Sequence, residues 1–168
     1  RTYSYVIRDG ERPIRITQND VRAIQLGKAA LHAGTRLLLD HMGIDQVDRI
    51  GLAGAFGSHI DVKYAMVLGM IPDCNLDHVG SVGNAAGTGA RIALLNYPSR
   101  REIGEILPKV EKIETAIEPK FQQYFIDAMA IPHKTDPFKE LSRFVKLPEP
   151  KPKAETNIGD DRNRRSRR

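Results

Sequence analysis

Two groups of glycines have the type and spacing that invite chemistry. Gly51, Gly54 and Gly57 recur every three residues in Ile50-Gly51-Leu52-Ala53-Gly54-Ala55-Phe56-Gly57, and three more follow in Gly83-Asn84-Ala85-Ala86-Gly87-Thr88-Gly89. Glycine permits positive φ and removes the side chain that would hold a ligand off the backbone. A turn that then feeds a helix aims unpaired amides at that ligand, which suits a nucleotide. Tight turns and close helix-to-sheet packing need the same glycines, and on spacing alone that use is the default. The neighbouring residues have two uses as well. Phe56 could stack on a base or fill a core, and Asn84 could hydrogen-bond a nucleotide or cap the next helix. Asp61 suits a helix cap better than a magnesium ion. His59 adjoins the first turn and could face a ligand, but packing or surface roles are expected for it and for His32, His41, His78 and His133, which show no metal-ligand spacing among themselves.

Familiar alternatives fail on the letters. A dinucleotide fingerprint requires G-x-G-x-x-G, but the first turn runs Gly51, Gly54, Gly57, and Gly87-Thr88-Gly89 is followed three positions later by Ile92. A P-loop requires Ser or Thr after Gly-Lys, whereas Gly27-Lys28 is followed by Ala29. No Ser, His and Asp set has a spacing that marks a nucleophilic triad.

The elements that would position these turns can be read from periodicity. Tyr3, Tyr5 and Ile7 alternate up to Asp9-Gly10, and Ile14 and Ile16 alternate after it, which predicts a hairpin with Pro13 at an edge. Thr17 and Asp20 form a capping-box-like start to a long helix that Gly43 stops. Its apolar face is expected at Val21, Ile24, Leu31 and Leu38, with a tightly packed small-residue face at Ala23, Gly27, Ala30 and Gly34. A buried strand then enters the first glycine turn, and Asp61 caps a helix that ends near Gly69 and Pro72. Val79 and Val82 lead a second strand into the second turn and its helix, so two strand–turn–helix units suggest a layered sheet. Ser99 and Glu102 give another capping box before Pro108, and Val110, Ile113 and Ile117 read as strand. Pro119 suits a first helical turn for the apolar face of Phe121, Tyr124, Phe125, Ala128 and Met129.

Composition bounds the rest. A chain of 168 residues with 40% hydrophobic residues can bury one core, and no apolar stretch reaches the length of a membrane span. With one cysteine, Cys74, no internal disulfide, four-cysteine zinc site or iron–sulfur cluster can be built, and a reducing, cytoplasmic setting is compatible. The net charge of +5 is matched by the five arginines of residues 162–168, so residues 1–161 balance and give no electrostatic case for nucleic acid. Residues 148–168 are expected to be a disordered basic tail beside a domain at 1–147. The start without Met, in a strand-like segment, is expected of a piece of a longer protein.

Ile16-Thr17-Gln18-Asn19-Asp20-Val21-Arg22, Gly54-Ala55-Phe56-Gly57, Leu68-Gly69-Met70-Ile71-Pro72 and Val82-Gly83-Asn84-Ala85-Ala86, in that order, resemble the C-terminal part of the reductive activators of corrinoid proteins. The resemblance spans roughly residues 14–132. It implies an α/β fold, part of an actin-like (ribonuclease H-like) ATPase domain with a layered sheet and packed helices. It also implies a parent that uses ATP with magnesium to return a corrinoid protein from Co(II) to Co(I), with an iron–sulfur cluster in a separate N-terminal domain. Gly54, Ala55, Phe56 and Gly57 would lie on the adenosine side, and Gly83 and Asn84 would approach from the neighbouring turn. The phosphate-holding hairpins and magnesium-organising acids of such domains come from more N-terminal segments, so this chain alone is expected neither to turn over ATP nor to transfer an electron. A corrinoid protein is the implied partner, and a homodimer is possible. Two other readings stand beside this one: a docking or dimerisation module without nucleotide, and part of an actin-like small-molecule kinase.

Overall fold

The computed structural model describes residues 3–148. All of the expected tail except Pro148 lies outside them. Strands β1 (Ser4–Arg8) and β2 (Ile14–Thr17) form the antiparallel hairpin, with Tyr5 opposite Ile16. Helix α1 (Gln18–Met42) follows at once. Its first turn is closed by a reciprocal pair: the Asp20 amide donates to the Thr17 hydroxyl and the Thr17 amide donates to the Asp20 carboxylate. At the other end Gly43 adopts the left-handed conformation at φ 65°, where its amide reaches the last carbonyls.

The buried face of α1 differs from the expected one. Lys28, Ala29, His32, Ala33, Leu37 and Leu39 are buried, whereas Ile24, Leu31 and Leu38 are exposed. Nothing lies within 4 Å of a Cβ built on Gly27 or Gly34, so the small-residue face receives no close neighbour among the described residues. The selection is made by helix α6 (Phe121–Ala128) and the segment after it, which pack along the Ala29–Ala33 side and carry carbonyls that a lysine can satisfy. At the C-terminal end of α1, Asp40 receives the Tyr124 hydroxyl, Lys120 at 3.2 Å and Arg36 at 2.9 Å. These donors, the tyrosine first, hold its pKa at about 2.

Strand β3 (Ile50–Ala53) and strand β4 (Val79–Gly83) pair in parallel, so the two strand–turn–helix units lie side by side. Between them run the single turn α2 (Gly54–Gly57) and helix α3 (Val62–Val67), which Asp61 caps by accepting the Tyr64 amide at 3.1 Å. After β4 come α4 (Ala85–Leu95) and α5 (Tyr97–Ile106), neither of which contains a buried residue. Helix α5 begins earlier than the Ser99–Glu102 spacing suggests. Asn96 is the cap and accepts the Ser99 amide at 3.3 Å, because Pro98 can occupy the first turn and so lets the helix start ahead of Ser99. Pro108 does end it, in a short 3-10 turn. Val110 to Ile117 forms no strand, since among the described residues no partner strand lies alongside to receive its backbone. Pro119 stands just ahead of α6, whose cap position is Lys120.

A core not read from the sequence closes the domain. Helix α7 (Lys139–Ser142) places Phe138 and Leu141 against Met66, Cys74 and Val79, all buried. The Asp73 carboxylate accepts the Glu140 amide at 2.8 Å and the Leu141 amide at 3.0 Å, satisfying two of the free donors of α7.

Candidate functional site

The parallel register fixes the spacing of the two glycine turns. Ile50, Gly51 and Leu52 face Val79, Gly80 and Ser81, and then Ala53 faces Gly83, with Val82 as the extra residue of a bulge. Both chains therefore leave the sheet at the same level, and Gly54 and Gly83 are adjacent at the carboxyl ends of their strands. In open α/β sheets that is where ligands bind.

The glycines at this edge do different things. Gly54 has φ +93° and Gly83 has φ +69°, and a Cβ on either would meet nothing within 4 Å. The backbone there is bent into a conformation that favours glycine and its face is open. Gly57 is buried, and a Cβ on it would stand 2.8 Å from the Leu52 carbonyl carbon and oxygen, so its lack of a side chain lets α2 lie on β3. Gly87 accommodates Asn84: a Cβ there would stand 2.8 Å from the Asn84 side-chain nitrogen, while Asn84 Oδ1 accepts the Gly87 amide at 2.9 Å. Asn84 is thus the cap of α4, and its exposed amide group remains at the rim. Ala55 is exposed on the short turn that also contains Phe56. His59 is exposed two residues beyond that turn.

Sequence reasoning missed the serines at this edge. Ser58 Oγ donates to the Gly54 carbonyl at 3.2 Å, Ser81 Oγ donates to Ser58 Oγ at 3.4 Å, and the Gly83 amide donates to Ser81 Oγ at 3.3 Å. The signal available was weak: one serine follows the first turn and the other sits two residues before Gly83.

Elsewhere, a cavity of about 450 Å³ lies near the opposite ends of the strands, with Asp48 and His78 on its wall together with His32, Arg36, Cys74 and Glu140. None of the glycine-turn residues lines it. Among the described residues no three His, Cys, Asp or Glu side chains converge as a metal site. No described helix is long and apolar enough to cross a membrane.

The ordered motifs around this edge have known relatives. Residues 1–142 match the family described as the C-terminal domain of RACo, the ASKHA domain. The chain belongs to this family. Its fold is accordingly that of the actin-like ASKHA class, the α/β architecture expected from the sequence. The corrinoid activation enzyme RamQ of Eubacterium limosum is 42% identical over 137 residues, covering 76% of this chain and 23% of that protein. A solved structure, a reductive activator for corrinoid, iron–sulfur protein, matches with a TM-score of 0.66 and 32% identity, covering 77% of this chain and 22% of the other. The chain thus spans under a quarter of the length of either relative.

Proposed function

We propose that this chain supplies one wall of the ATP site of a reductive activator that returns a corrinoid protein from Co(II) to Co(I). The observation that carries the reading is the adjacency of Gly54 and Gly83, two positive-φ glycines with open faces at the same sheet edge. In this reading Gly54, Ala55 and Phe56 lie along the adenosine, Gly57 holds their turn against β3, and Gly83 and Asn84 approach from the second turn. The chemistry of this wall is positioning: bent backbone and one side-chain amide admit a purine nucleoside and offer it hydrogen bonds. Magnesium and the phosphates would draw their ligands from other parts of the polypeptide, as would electron transfer through an iron–sulfur cluster.

Residues 1–147 would then be the C-terminal portion of an actin-like domain. The bare apolar side chains of α4 and α5, among them Leu94, Leu95, Tyr97 and Ile106, fit a piece whose remaining portions cover them. ATP would act by favouring the arrangement in which the electron donor sits near cobalt, since a ligand shifts an equilibrium only by its differential affinity for the two states. The test is calorimetric titration of ATP into the intact protein, with corrinoid reduction followed in parallel. Saturable heat and an ATP-dependent reduction rate are expected. No heat overturns the reading and leaves the docking or dimerisation module in its place, whereas heat with a rate indifferent to ATP overturns the activator and leaves the actin-like kinase.

A further inference from the structure

The two open glycines are joined by more than the sheet. The Gly83 amide, the Ser81 hydroxyl, the Ser58 hydroxyl and the Gly54 carbonyl form one directional chain, in which each hydroxyl accepts one hydrogen bond and donates one. It crosses the bulge at Val82, where the strand ladder slips and no longer sets the register by itself. We propose that Ser58 and Ser81 are positioning residues of the nucleotide site, holding the two glycine turns at the separation the nucleoside requires. The inference rests on the nucleotide reading above and extends it to the two serines.

Both serines are exposed, and the three links, at 3.2 to 3.4 Å, are long. Exposed hydroxyl links compete with water and add little to the stability of the free protein. A bound nucleoside excludes that water and lowers the local dielectric, so the same links strengthen when the site is filled. Their contribution therefore belongs to affinity more than to folding.

The experiment measures ATP affinity in the intact protein for the wild type, Ser58→Ala, Ser81→Ala, the double variant and Ser81→Thr, with thermal midpoints taken without nucleotide. Each alanine variant is expected to bind ATP about three- to tenfold more weakly, the scale of one or two net hydrogen bonds. The double variant should be no weaker than the weaker single, because either cut breaks the same chain. Ser81→Thr keeps the hydroxyl and should bind like the wild type, and nucleotide-free midpoints should not change. Unchanged affinity, losses that multiply in the double variant, or losses that follow a lowered midpoint would overturn the serine assignment while wild-type binding still supports the site. Wild-type protein that fails to bind ATP overturns both.

Discussion

The glycine edge and the contact between α1, Gly69 and Pro132 use the same residue type in opposite ways. At Gly69, with φ +71°, a Cβ would fall on the Pro132 carbonyl oxygen. Lys28 reaches into the same place and donates to the carbonyls of Ala130 and, at 2.6 Å, Pro132. His32 lies against it with its ring 4.8 Å from that of His133. No room remains there for a side chain on Gly69. At Gly54 and Gly83 a Cβ would meet nothing. A glycine motif can therefore admit a ligand only where the space opposite the missing side chain is empty, and the two regions show an occupied and an open case.

The sharpest way to break this contrast is Gly69→Ala. It combines a left-handed backbone with a collision against main chain, so it should cost about 3 kcal/mol or more, measured by chemical denaturation. A smaller loss would mean that the 130–132 segment can move away. Gly83→Ala should act differently, costing about 1 to 2 kcal/mol for the conformation alone. Its larger effect should be on ATP affinity in the intact protein, about tenfold or more, because the methyl group occupies the space assigned to ligand. Equal effects of the two substitutions on stability would erase the distinction.

The smallest effect is a pH dependence confined to the filled region. Burial, helped by His133, lowers the pKa of His32 from 6.5 to about 4, and burial also lowers that of His133. Between those pH values the unfolded chain binds more protons than the folded one, so stability present above pH 6.5 is lost as pH falls toward 4. His32→Gln should flatten that slope in equilibrium unfolding. A slope unchanged by the substitution would place the acid sensitivity elsewhere. Lys28 follows the same rule at higher pH. Burial lowers its pKa to about 8, so stability rises from there toward 10.5, and Lys28→Met should abolish the rise.

What the sequence made legible was local. Thr17 with Asp20, Gly43, Asp61 and Asn84 act within a few residues of themselves, and each caps the helix expected of it. The two strand–turn–helix units were also legible, because each carries its own turn chemistry. Lys28 was not, since the carbonyls that make its burial tolerable lie more than a hundred positions away. The face of α1 went wrong for the same reason: apolar periodicity at Ile24, Leu31 and Leu38 says what could be buried, and α6 decides what is. At the candidate site the glycines stood out, but the division of labour between Gly57 and Gly54 depends on the distance to Leu52, which spacing does not encode.

The Asp73 clasp has a practical corollary. Phe138 and Leu141 act as a stopper seated from the carboxy-terminal side, and one acidic side chain latches it through two amides. A cut placed after Pro132 would uncork Met66, Cys74 and Val79. Trimming for expression should therefore begin beyond Leu147, since Val145 and Leu147 also pack against that core.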